Sequence, residues 1–196
     1  MIDDFAKKHL SGDLRYARDA VLWKLDGVDE YNVRRPLTAT GTNLLGLIKH
    51  LATWEARYFG EVFDRPYPEP LPRWDDPAAS RADLWVTEHE TREQIIGFYH
   101  RVQEHSDATI AELPIDAPGH VPWWPQPDVN LFGIIVHILT ETNRHAGHAD
   151  ILREQLDGRT GSHEGGGSAA SEGEDAAFWE EYCAKIERAA KLAGKE

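Results

Sequence analysis

Between Pro127 and the Asp157-Gly158 stop, residues Leu131, Ile134, Ile135, Ile138, Leu139, Ile151, Leu152 and Leu156 recur at helical spacing with no proline to interrupt them. Asp128 or Asn130 can cap this segment. A helix of about 27 residues is roughly 40 Å long, and an element of that length suits a helical bundle. It therefore governs how the rest of the chain is read.

Three further segments supply partners of similar character. Leu14, Ala17, Val21, Leu22 and Leu25 predict a first helix over about Asp13 to Leu25, ended by Asp26-Gly27. Thr42 or Asn43 caps a second, whose Leu44, Leu47, Ile48, Leu51, Trp54, Tyr58 and Phe59 form a broad apolar stripe to about Phe63. Pro66, Pro68, Pro70 and Pro72 forbid regular structure, so residues 64–78 are expected as a loop. A third helix then opens at Ser80 or Asp83 and runs to Leu113, before Pro114. The segment from Pro118 to Pro127 holds too many prolines for a helix and too many aromatics for an idle linker.

No strand-period pattern of useful length and no internal repeat is present. The fold class is all-α: a four-helix bundle over residues 1–158. Residues 159–174 read as a flexible Gly/Ser/Glu-rich insert. Residues 175–196, with Phe178, Trp179, Tyr182 and Ile186, read as a short amphipathic helix docking back on the bundle.

Composition narrows the function. With 41% hydrophobic residues and seven tryptophans a packed core is feasible, while a net charge of -13 disfavours nucleic acid and anionic membranes. MIDDFAKKHL does not resemble a signal peptide, and no apolar run approaches the roughly 20 residues a spanning helix needs; the expected compartment is the cytoplasm. Cys183 is the single cysteine, so an intrachain disulfide or a cysteine-rich zinc site is excluded. Any metal must be held by His and carboxylate.

Such ligands are available. His137, Glu141, His145 and His148 follow one another at steps of four, four and three, which places them on one helical face interleaved with Ile134, Ile138 and Leu152. A carboxylate and several imidazoles in an apolar setting are costly unless paired, and a metal ion satisfies both types together. Glu141 and His145 lie one turn apart. His50, inside the apolar run IKHLATWEARYFG, is the leading third ligand, although a hydrogen-bonded packing histidine is the alternative reading of that position. Two His and one carboxylate leave a coordination position open. Zinc is favoured for these N/O donors, with Ni, Fe or Mn as alternatives. His9, His89, His100, His105, His120 and His163 have no such company and are expected at surface or loop positions.

LIKHLATWEARYFG followed by HILTETNRHAGHADILRE resembles the DinB-like metal-binding superfamily. With VPWWP and RHAGHADILRE, the likeness is to its actinobacterial domain-of-unknown-function branch, close to mycothiol-dependent S-transferases, over about residues 10–158. The resemblance implies an up-down-down-up bundle, often dimeric, whose metal ligands map to His50, Glu141 and His145. Many family members carry His where this chain has Glu141, and Arg-Gly-Gln where it has Ala146-Gly147-His148. His148 thus stands as ligand, proton shuttle or neighbour of a ligand, and His137 as a residue that orients the Glu141 carboxylate. Arg144 meets an anionic substrate or makes a salt bridge. Trp123 and Trp124 either wall a pocket for the bound thiol or cap the bundle end.

The activity implied is metal-dependent transfer of a low-molecular-weight thiol, mycothiol-like, onto an electrophilic small molecule. Cys183, beyond the insert in a Glu- and Lys-rich helix, is a poor substitute for that thiol. Two other readings remain: a hydrolase using metal-bound water, and a non-catalytic metal-binding stress-response protein.

Overall fold

A computed structural model describes residues 2–72, 75–164 and 176–194. The elements in order are α1 (Ile2–Trp23), α2 (Glu30–Arg34), α3 (Leu44–Phe59), α4 (Arg92–Glu112), β1 (Pro118–His120), β2 (Asp128–Asn130), α5 (Leu131–Asp157) and α6 (Ala176–Ala193), with 3-10 turns at Glu61–Phe63 and Pro77–Ala79. The bundle consists of α1, α3, α4 and α5. Helix α3 packs on α4 and α5, and α1 packs on α5 and α4. The fold is mostly helical and consistent with the expected DinB-like bundle.

Caps set the ends of the two site-bearing helices. Asn43 accepts a hydrogen bond from the Gly46 amide (2.7 Å) to start α3, and Asn130 accepts one from the Gly133 amide (2.9 Å) to start α5. Gly158, at φ 76°, closes α5 in the left-handed conformation that favours glycine.

The apolar interior divides in two. One cluster joins Val21, Leu25, Ile48, Leu51, Tyr99, Val102 and Leu152. The other joins Leu14, Phe59, Ile110, Leu131, Ile134 and Ile138. The boundary falls near residues 50–58 of α3 and 138–146 of α5, where polar side chains replace apolar ones. Ion pairing ties the helices together there: Arg18 on α1 meets Glu55 on α3 (2.5 Å) and Asp107 on α4 (2.7 Å), with Arg18 and Glu55 both buried. Burial pushes the Glu55 carboxyl above its ordinary range, and Arg18 opposes that shift.

Several sequence expectations need correction. Helix α1 begins at Ile2 rather than near Asp13; its first half carries few apolar residues, and Lys7 anchors it by donating to the carbonyls of Ala111 and Leu113 (3.2 and 2.8 Å). Helix α4 begins at Arg92, not at Ser80 or Asp83, because Thr91 and Gln94 form a reciprocal capping box. Residues 80–90 instead make turns. The aromatic segment carries a two-stranded antiparallel hairpin pairing Pro118 with Asn130 and His120 with Asp128, too short to leave a periodic signature.

Beyond α5 the chain is first held down. Gly161 donates to Asp150 (3.2 Å) and its carbonyl accepts from Lys24, while Tyr16 pairs with Ser162. Residues 165–174 of the expected flexible insert lie outside the described residues. Among the described residues of the C-terminal helix none is buried, and Phe178, Trp179 and Tyr182 pack on one another.

Candidate metal centre

His50 projects from the middle of α3, one turn before Trp54, and Glu141 and His145 project from neighbouring turns of α5. One ligand atom from each lies within 4.8 Å of the others, and among the described residues these three form a group able to hold a metal ion. The His145 Nε2 to Glu141 Oε1 distance is 2.9 Å, and His50 Nε2 stands 3.8 Å from the same oxygen. The two imidazole rings meet edge to face at 4.9 Å.

The far nitrogen of each ring is also engaged. His50 Nδ1 lies 2.7 Å from Asp83 Oδ2, which also accepts from Trp54 Nε1 at 2.9 Å. His145 Nδ1 lies 3.3 Å from His148 Nδ1. A carboxylate at His50 Nδ1 fixes the proton on that nitrogen and leaves Nε2 as a lone-pair donor directed at Glu141. Asp83 was not singled out in the sequence, where it read as a helix cap.

Electrostatics agree with metal ligation. Burial, and then the neighbouring His50, push the His145 imidazole below its ordinary range, favouring the neutral ring that a cation requires. Burial raises Glu141, but His145, His50 and Arg144 outweigh it and hold the carboxyl low, hence ionised. For Asp83 too, burial is outweighed, by hydrogen bonds from His50 and Trp54. Two imidazoles and one carboxylate converging in a half-buried position are a donor set that fits a divalent cation.

The remaining candidates are placed as follows. His148 is exposed and reaches the group only through His145. His137 does not orient Glu141 by a hydrogen bond in the structure; its ring packs against Tyr58 (4.7 Å) and Trp124 (4.9 Å). Arg144 is exposed and acts on Glu141 through its charge. Trp123 and Trp124 both donate to the Tyr58 hydroxyl (3.3 and 3.1 Å), Trp123 on the cavity side and Trp124 against His137. Cys183 is exposed on α6, outside this group.

A cavity of about 250 Å³ opens beside the ligands, walled by His50, Leu51, Trp54, Tyr58, Trp123 and Glu141. Its floor includes Thr142, whose hydroxyl is buried without a hydrogen-bond partner among the described residues. Tyr58, which the sequence offered only as a stripe residue, and Thr142, which it did not single out, are functional candidates. Nothing in their spacing separates a cavity wall from a core.

A family model described as Mycothiol-S-transferase matches residues 9–158. No curated protein matches the chain.

Proposed function

The chain belongs to the mycothiol S-transferase family, and from that premise we propose that it joins the sulfur of mycothiol to an electrophilic small molecule at the His50, Glu141 and His145 site. The observation that carries this is the convergence of three metal-ligating side chains on the wall of an aromatic cavity. His50, Glu141 and His145 would hold a divalent ion, zinc by donor type, while Asp83 keeps the His50 ring in the required tautomer. A divalent cation supplies positive charge that lowers the pKa of an adjacent thiol and so favours its nucleophilic form.

The side chains around it do the rest. Trp54, Tyr58 and Trp123 exclude water from the reacting sulfur and offer an apolar surface to the electrophile. In the transfer the S–H bond is lost with its proton passing to solvent. A sulfur lone pair forms the S–C bond, and the displaced group leaves with the bonding pair; in an addition, the electrophile's π pair takes up a proton instead.

A reducing cytoplasm suits this chemistry, and no helix among the described residues is long and apolar enough to cross a membrane. Phe132, Val136 and Ile151 stand exposed along α5, a face that a homodimer would cover; light scattering on the purified protein tests that assembly. For the activity, metal content and mycothiol-dependent turnover of an aryl halide are measured on wild type and His50→Ala. Stoichiometric metal and thiol-dependent turnover, both lost in the variant, are expected. Ester turnover without thiol would instead favour hydrolysis, and bound metal with no turnover of any kind would favour a structural ion.

A further inference from the structure

Two cavities reach the three candidate ligands, one lined by His50 and Glu141 and the other by His145. The first is the aromatic one. The second, of about 330 Å³, also reaches His148 and is rimmed by Thr40, Thr42, Arg81 and Trp85. We propose that this second cavity binds the polyhydroxylated glycoside of the thiol substrate, leaving the aromatic cavity to the electrophile. The assignment rests on the thiol-transfer reading above and deepens it.

The chemistry of the two walls differs. In the first cavity the polar edges of the aromatic residues are already committed, Trp54 to Asp83 and Trp123 to Tyr58, so that wall offers mainly apolar surface. The second rim brings two hydroxyls, a guanidinium and an indole together. Mycothiol carries its cysteine on a glucosaminyl-inositol headgroup, which presents many hydroxyls and, on the sugar faces, C–H groups. Hydroxyls pair with Thr and Arg side chains, and a sugar face stacks on an indole.

Trp85 is 51% exposed although its backbone is fixed. Its carbonyl accepts from Lys49 (3.1 Å) and that of Leu84 from Asn43 (3.4 Å). Gly46 permits this seating, since a Cβ there would lie 2.1 Å from the Leu84 carbonyl oxygen. The chain thus holds a large apolar ring in solvent at the cavity mouth. Arg81 is held at φ 62°, a left-handed conformation rare for residues other than glycine, on the same rim. Constrained backbone beneath two exposed recognition side chains is the signature of a built surface.

The test uses S-methylmycothiol, a thioether that keeps the glycoside and cannot form a thiolate, with binding read by calorimetry. Wild type is expected to bind it, Trp85→Ala and Arg81→Ala to weaken it about tenfold each, and Trp123→Ala to change it less than twofold. Turnover gives the second readout. The kcat/KM preference for mycothiol over N-acetylcysteine should fall about tenfold in Trp85→Ala, while Trp123→Ala should raise KM for the apolar electrophile. Failure of wild type to bind the thioether, or weakening by Trp123→Ala and not by Trp85→Ala, would overturn the assignment while mycothiol-dependent turnover kept the transferase reading intact. Absence of thiol-dependent turnover in wild type would remove both.

Discussion

Asp83 shows how much one residue outside the ligand set can decide. Its carboxylate binds His50 Nδ1 and Trp54 Nε1 together, so it sets both the tautomer of a candidate ligand and the position of a cavity wall. Outer partners of this kind are worth about 10–100-fold in metal affinity. Asp83→Ala should weaken zinc binding by that factor in a chelator competition while the helical circular dichroism stays at the wild-type level. His137 supplies a pH dependence of different origin. Burial against Tyr58 and Trp124 pushes its imidazole below the ordinary 6.5, and the Glu141 charge offsets only part of that. The unfolded chain takes up this proton near 6.5 while the folded one stays neutral to lower pH, so acidification through that window favours unfolding. In metal-free protein the melting temperature should fall from pH 7 to pH 5.5 less steeply for His137→Gln than for wild type.

Among the elements, the decisive joint is the Arg18 network that pins α1 to α3 and α4. Arg18→Ala leaves Glu55 buried without its partner, and removing one member of a buried pair costs about 3–5 kcal/mol. Urea denaturation should show that loss, and the Arg18→Met, Glu55→Met double variant should recover much of it. The capping box at Thr91 is smaller in effect: Thr91→Ala should cost about 1 kcal/mol in the same assay. Helix α5 was legible in its sequence because its apolar residues, its caps and its Glu-His stripe all indicate one element. The start of α4 was misread because Leu84 and Val86 imitate a helical stripe, although Asp83, Leu84 and Trp85 are drawn onto α3 by His50, Asn43 and Lys49. Those attractions span more than thirty residues of chain, beyond what a local pattern records.

In the whole molecule, the bundle and the site account for residues up to about 164, while α6 contributes no buried residue. Deleting residues 176–196 should therefore leave the melting temperature and metal stoichiometry unchanged; differential scanning calorimetry and metal analysis of the truncated chain check this. A drop in either would mean that Phe178, Tyr182 and Ile186 find a surface after all.

By itself the sequence determined the all-α class, the long final bundle helix and the residues chemically able to hold a metal, because helical periodicity and ligand type are properties of short spans. Only the tertiary structure decided that His50 faces Glu141 and His145, that Asp83 sits behind it, and that one cavity opens at His50 and Glu141 and another at His145. Those facts depend on how separate helices and a turn segment pack together. Side-chain directions within each element constrain that packing, but its outcome is fixed by the summed burial and pairing of the whole chain.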